Sequence, residues 1–476
     1  MALMKILLIA YDFPPIPSPQ ALRWAYLVRE LADAGHDVHV LAPDVEGYGA
    51  GGLPATPGSV RVHRVWPGPY AAYVSWRSRR RAASRVAPVA AGEVINDEPK
   101  TETAVFRTAA SVAAVELNWK GRLRERVQAH VRALRRGMAR GLRISSVSLD
   151  VPALAAHVMY PDIRAEWLPW ASRKLDALLE ELDPDVVVTS HEPANSIPLG
   201  LEASRKGYRW VADLGDPLLA PYTPKKWRKH AFDLERALCE EAASITMTSQ
   251  SAIQSLVGRH PMAAGRCHLL TQGFDQSVLP GGGVGVMAPK DTLDILYTGS
   301  FYVFRDPAPL INAVIGAEGV RLLVATIVAP DGLLRAAVEH PGKFVLLGFV
   351  GHREALALQR SSDLLLNIAN ADPVQIPGKL YEYLGSGTPI LHMGDSKEDA
   401  AAMLVSELGV GWCVSPNESS LKDVLQQLRE RKALDTLARP HLDDRFLQYS
   451  WKGIAERFVS IASRRDDALL DVGVNG

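Results

Sequence analysis

"VQIPGKLYEYLGSGTPIL", residues 374–391, decides how this chain is read. Pro377-Gly378 opens a short helical pattern and Gly385-Ser386-Gly387 closes it, as proline favours helix starts and glycine helix ends. Apolar runs flank it, "LLLNIA" at 364–369 and "TPILHMG" at 388–394, so the unit is strand, loop, helix, strand. Lys379 and Glu382 fall three apart, hence on one helix face. A core helix needs no charged pair. A helix whose N-terminus faces a ligand has a use for one. Its free N–H groups favour an anion such as phosphate, and a lysine adds a point charge. A carboxylate one turn on accepts hydrogen bonds from vicinal hydroxyls, as a ribose presents them. The alternative is an exposed pair on a surface helix.

The same alternation extends in both directions. Upstream in the second half lie "DILYTG" (294–299), "VRLLVAT" (320–326) and "FVLLGF" (344–349). The first half carries "KILLIA" (5–10), "VHVL" (38–41), "VRVHRV" (60–65), "DVVVTS" (185–190), "WVADL" (210–214) and "SITMTS" (244–249). A helical pattern over 21–35 has apolar residues at 22, 26, 27 and 31 and ends at Gly35. Strands alternating with helices predict an α/β chain with parallel sheets. The stretch 276–291 is rich in Gly and Pro and reads as a linker between two such halves. With 476 residues, two domains are expected, and ligands of open parallel sheets bind at the strands' carboxyl ends. Facing ends would line a cleft.

Composition narrows the function classes. Lys+Arg and Asp+Glu both number 53, so the formal net charge is zero, unlike a generic nucleic-acid binder. Cys239, Cys267 and Cys413 are far apart in sequence, with no disulfide framework and no CxxC metal spacing. "MALMKILLIA" lacks a basic n-region and a cleavage site, and no run reaches the length of a membrane span. A cytoplasmic protein is expected, with contact to the inner face of the membrane left open.

The region from about 70 to 160 breaks the alternation. Residues 119–143 carry eight arginines against the single Glu125. Leu123, Val127, Val131 and Leu134 form an apolar stripe along this pattern. An arginine-rich amphipathic helix suits an anionic lipid surface, with Arg132, Arg135, Arg136 and Arg140 as contacts. The alternative is a helix packing its stripe on its own domain.

"PGKLYEYLGSGTPIL" resembles the nucleotide-binding segment of retaining glycosyltransferases of the GT-B fold, family 4. That family has two glutamates eight positions apart. Glu382 matches the second, and Val374 stands at the first. "YDFPP" through "LAPD" (11–44) resembles the family's first strand, loop, helix and second strand, with "IPSPQ" in place of the usual glycine pair. "SHEPANS" (190–196) and "WVADLGDPL" (210–218) resemble segments of a surface-polysaccharide branch, with Gly215 where an arginine is usual. "ILYTGSFYVFRDP" (295–307) resembles the start of the second domain, where two cations hold the diphosphate. Ser300 replaces the first of these and Arg305 stands at the second.

The resemblance implies two Rossmann-like doubly wound domains: 1–275 with the arginine-rich insertion, a linker at 276–291, a nucleotide-sugar domain at 292–445, and a helix crossing back within 446–476. It implies donor-binding residues Gly299, Ser300, Arg305, Gly348, Lys379, Leu380, Tyr381 and Glu382. It places His191 and Asp216 at the sugar and acceptor, Pro15, Ser18 and Arg23 in a loop facing donor or acceptor, where Arg23 either makes up for the absent glycine pair at the donor phosphates or is a surface arginine, and His352 as either an N-cap or a base contact. The implied activity is transfer of a hexose-type sugar from a nucleotide-sugar to a glycan or lipid-linked acceptor with retention, without metal or other cofactor. A non-catalytic subunit of the same fold, or a nucleotide-sugar epimerase, are the alternatives.

Overall fold

The computed structural model describes residues 3–45, 53–83, 158–220, 223–276, 291–301, 306–370, 372–373, 375–394, 399–441 and 443–464, with side chains to residue 76 in the second stretch. The first half supplies strands β1 (Lys5–Ile9), β2 (Asp37–Pro43), β3 (Arg61–Val65), β4 (Val186–His191), β5 (Trp210–Leu214), β6 (Ser244–Met247) and β7 (Cys267–Leu269). The second supplies β8 (Leu293–Thr298), β9 (Val320–Ala325), β10 (Phe344–Leu346), β11 (Leu364–Ile368), β12 (Ile390–Met393) and β13 (Gly411–Val414). Among the described residues these form two sheets, ordered β3-β2-β1-β4-β5-β6-β7 and β10-β9-β8-β11-β12-β13. Every strand pairing is parallel. Both sheets lie in one compact unit, Met1–Ala82 with Ala155–Gly476.

Helices cover both faces of a parallel sheet, so its strands read as unbroken apolar runs. Leu7, Leu8 and Ile9 of β1 are fully buried, as are Leu364, Leu365 and Leu366 of β11. In each sheet the strand order reverses beside the first strand, between β1 and β4 and between β8 and β11. Such switch points leave a crevice at the strands' carboxyl ends. The segments expected to carry chemistry leave the sheets there: 10–18 after β1, 192–196 after β4, 299–301 after β8, and 375–378 after β11.

The helix Pro19–Asp33 follows β1. Ser18 caps it, its hydroxyl accepting from the Ala21 N–H at 3.0 Å, and Pro19 occupies the first turn. The chain returns to this helix at its end. Helix Trp451–Ala462 lays Phe458 edge-on against Trp24 at 5.8 Å and stacks Trp451 on Tyr26 at 5.4 Å. Two strands of backbone run side by side where the halves join: the Phe274 N–H donates to the Tyr449 carbonyl at 3.0 Å and the Trp451 N–H to that of Phe274 at 2.9 Å. The Phe274 ring fills the space a side chain at Gly385 would need, while Gly387 closes its helix with φ +65°. Each of the two glycines in "LGSG" therefore has a separate cause.

Two short edge strands, β7 and β13, were not legible as apolar runs, and "FVLLGF" stops being a strand at Leu346, before Gly348 turns at φ +71°. No helix among the described residues is long and apolar enough to cross a membrane.

Candidate functional site

The donor-side residues gather at the end of β8 and the start of helix Gly378–Ser386. No side chain caps this helix, whose N-cap is Pro377. Tyr383 ties it to β8: its hydroxyl lies 3.1 Å from the Thr298 amide N and 3.0 Å from Thr298 Oγ1. That tether sets Lys379 against the turn after β8. The Lys379 ammonium donates to the Tyr297 hydroxyl at 3.2 Å and sits 4.3 Å from that ring's centre. Gly299 lies beneath it at φ +131°, and any Cβ there would overlap the ammonium. Glycine is needed twice over at this position, for its backbone and for the lysine.

Glu382 shares the Lys379 face. Its side chain is only 19% exposed, with His352 Nδ1 3.8 Å from Oε1. Burial raises its pKa, opposed by His352, a hydrogen bond from Gln359, and Lys379. The pair is thus not surface decoration. His352 is the first residue of helix His352–Ser361, whose N-cap is Gly351. Its Nε2 lies 3.0 Å from the Tyr26 hydroxyl of the first half. The expected N-cap role falls to Gly351; His352 instead bridges Glu382 to the Pro19–Asp33 helix.

Leu380 and Tyr381, expected to bind donor, are 0% and 1% exposed and belong to the core beneath the helix. The Leu380 N–H donates to the Pro377 carbonyl at 2.9 Å. They fall between Lys379 and Glu382 in sequence and lie on the opposite, buried side of the helix. Ser300 is exposed, and its carbonyl accepts from the Tyr297 hydroxyl at 2.8 Å. Gly348 is exposed in the turn after β10. Arg305 and Val374 lie outside the described residues, as do Arg132, Arg135, Arg136 and Arg140.

The second cluster lies at the ends of β1, β4 and β5. His191 is 5% exposed; burial pushes its pKa down to about 4, so the imidazole is neutral at ordinary pH. The Asp216 backbone beside the ring opposes that shift, and Nδ1 has no hydrogen-bond partner. The Glu192 and Asp216 carboxyls hydrogen-bond to one another. Burial lifts both above the usual range, Glu192 to about 7 with added repulsion from Asp216. Asp12 is also buried and raised. Arg164 is the cation among them. Its guanidinium grips Asp162 at 2.8 Å and approaches Asp12 at 3.6 Å.

Gln20 explains Gly215. Its Nε2 donates to the His191 carbonyl at 2.7 Å and occupies the space a Cβ at position 215 would take. Pro15 follows a cis peptide bond in the loop after β1. Ser18 spends its hydroxyl on the helix cap and on Asp12. Arg23 is a correction. It is 0% exposed and forms a two-pronged ion pair with Asp213, Nε to Oδ2 at 3.0 Å and Nη2 to Oδ1 at 2.9 Å. It also donates to the carbonyls of Leu270 and Thr271. A guanidinium so enclosed is out of reach of a donor phosphate.

Sequence reasoning missed Asp12, Arg164, Glu192 and Gln20. Glu192 and Asp12 stood inside quoted motifs, in "HEP" and "YDFPP". What was not visible is that β4 and β5 are neighbours, with His191 level with Leu214, so that Glu192 and Asp216 leave the sheet side by side.

With this geometry in hand, the chain can be set beside known proteins. The family model Glycosyltransferase Family 4 matches residues 114–278, less than half of the chain. The match begins inside the region of about 70–160 that breaks the strand–helix alternation. Sucrose-phosphate synthase from Thermosynechococcus elongatus superposes with TM-score 0.57 at 13% identity, covering 96% of this chain and 98% of that one. WaaG, a glycosyltransferase involved in lipopolysaccharide biosynthesis, gives TM-score 0.52 at 12% identity over 97% and 96%. The fold is GT-B. Likeness at such identities speaks to fold alone. A curated relative, Epoxide hydrolase A of Mycobacterium tuberculosis (strain ATCC 25618 / H37Rv), is 34% identical over 104 residues, covering 18% of this chain. The chain spans 30% of that relative's length, and so short a match carries neither a fold nor an activity across.

Proposed function

We propose that the chain is a retaining glycosyltransferase of the family 4 type. It transfers a hexose-type sugar from a nucleotide-sugar to a glycan or lipid-linked acceptor in cell-surface polysaccharide or glycolipid assembly. The observation that carries this is the Lys379–Gly299–Glu382 arrangement at the uncapped start of helix Gly378–Ser386. Lys379 and the helix N-terminus hold the donor diphosphate, with Arg305 as the second cation. Glu382 accepts from the ribose hydroxyls. The departing diphosphate is stabilised by fixed positive charge, which needs no metal. His191 and Asp216 lie at the transferred sugar and the acceptor. The family match over 114–278 supports the class of reaction.

The test is incubation with labelled nucleotide-sugars and a bacterial lipid extract, with and without EDTA. The expected result is metal-independent label transfer, with the anomeric configuration of the donor kept in the product. Transfer abolished by EDTA, or an inverted product, would contradict the mechanism. We further propose a peripheral place on the membrane through Arg132, Arg135, Arg136 and Arg140. Changing all four to Glu should abolish pelleting with anionic vesicles, and unchanged pelleting would refute it.

A further inference from the structure

His352 lies between Glu382 and Tyr26, and holding a diphosphate gives that position no task. We infer that His352 is a second ribose contact, its Nδ1–H and the Glu382 carboxylate sharing one hydroxyl of the sugar, and that Tyr26 is the positioning residue that fixes the ring for it. This rests on the reading of Glu382 above and names what makes ribose preferred to deoxyribose.

Nδ1 lies 3.8 Å from Glu382 Oε1, too far for a direct hydrogen bond. A hydroxyl oxygen within about 3 Å of both fits beside that gap, accepting from the ring and donating to the carboxylate. Such sharing needs hydrogen on Nδ1, and Tyr26 supplies the reason for it. Nε2 lies 3.0 Å from the Tyr26 hydroxyl, which makes no other hydrogen bond among the described residues. Asp275, whose charge also bears on Tyr26, turns both oxygens to Arg29, at 3.1 and 3.0 Å. The Tyr26 hydroxyl therefore donates to Nε2, and a neutral ring then carries its single hydrogen on Nδ1. The opposite tautomer would set a lone pair against the Glu382 carboxylate.

Tyr26 is held firmly. Its ring stacks on Trp451 at 5.4 Å with 7° between planes, and the Arg29 guanidinium lies 4.8 Å from its centre. It is buried, so it acts through His352 and not on a ligand. Phenylalanine at position 26 would keep both ring contacts and lose the hydroxyl. His352 and Glu382 stay partly open, with 13% and 19% of their side chains exposed, as contacts with a ligand must. Tyr26 belongs to the first half and the other two to the second, so ribose is read where the halves meet.

The experiment uses the full chain and whichever of UDP, GDP and ADP raises its melting temperature most, with the 2′-deoxy and 3′-deoxy forms of that nucleotide. Isothermal titration calorimetry gives each dissociation constant. The natural chain is expected to bind the ribo form roughly 20-fold tighter than the weaker deoxy form, the loss that goes with a hydroxyl set between a donor and a charged acceptor. His352→Phe should reduce that ratio to about 3 or less while the weaker deoxy form binds as before. Tyr26→Phe, which frees the tautomer, should reduce it to about 5, and Tyr26→Phe/His352→Phe should do no worse than His352→Phe alone. Tyr26→Phe is nearly isosteric, so the ratio stays readable even if His352→Phe fails to fold. Equal weakening of ribo and deoxy forms, an unchanged ratio in Tyr26→Phe, or a double variant that loses the sum of the two would each overturn the inference. A natural chain that binds no nucleotide, or binds all three forms alike, overturns the reading of Glu382 and the inference with it. A natural preference that is lost in Glu382→Ala and kept in full by His352→Phe and Tyr26→Phe overturns the inference alone.

Discussion

Replacing Arg23 with Leu separates a structural arginine from a ligand-binding one. Arg23 and Asp213 are both 0% exposed, and the carboxylate also accepts from Thr246 Oγ1 at 2.7 Å. Two carbonyls, Leu270 and Thr271, take two of the three remaining guanidinium protons at 3.0 and 2.6 Å. Breaking a buried pair from one side strands the other charge, which costs about 3–5 kcal/mol. Arg23→Leu is therefore expected to lower stability by about 4 kcal/mol in urea unfolding of the first half, near that range's middle. Arg23→Leu/Asp213→Leu removes the stranded charge and should lose less than the single variant, although the Thr246 hydroxyl and the two carbonyls lose partners at about 1 kcal/mol each. In both variants any nucleotide-induced rise in melting temperature should survive. The reasoning is refuted if Arg23→Leu costs under about 1 kcal/mol, or if the double variant loses the sum of the two single ones. A fully folded Arg23→Leu protein that has lost its nucleotide response would restore Arg23 to the donor site.

Other outcomes follow from the same geometry. Gly299→Ala forces a Cβ into the Lys379 ammonium at φ +131°, so it should cost about 1–3 kcal/mol in stability and weaken any nucleotide shift, both read by melting curves. His191 is neutral in the fold down to about pH 4 but protonates near 6.5 when unfolded, so its contribution is lost as pH falls from 6.5 towards 4. His191→Gln should flatten that part of the stability profile, by up to about 3 kcal/mol between those limits. Glu192 acts oppositely: it holds its proton in the fold up to about pH 7 and ordinarily loses it at 4.5, so stability falls as pH rises between them. Glu192→Gln should remove that slope, and an unchanged profile in either variant would contradict the assigned shift.

The sheets were legible because a strand buried on both faces must be apolar along its length, as "KILLIA" and "LLLNIA" are. β7 and β13 were not, because edge strands need neither length nor unbroken burial; Trp412 of β13 is half-buried and Cys413 exposed. The Lys379–Glu382 pair was legible because it depends on spacing within one helix. The same spacing, applied to Leu380 and Tyr381, would have put them on the buried face; a contiguous motif obscured its own periodicity. Arg23 was not legible, since its partner Asp213 lies 190 residues away. Nor was the Glu192–Asp216 pair, which exists because β4 and β5 are neighbours. What sequence withholds here is pairing at long range, and burial with it.

The central claim is that the helix opened by Pro377-Gly378 holds a nucleotide. Melting temperature is the measurement, taken with UDP, GDP, ADP and dTDP, with magnesium and with EDTA, on the natural chain and on Lys379→Ala and Glu382→Ala. The account predicts a rise with one base, independent of metal, and reduced in both variants. A chain that responds to none of the four, or whose response survives both substitutions, would contradict it.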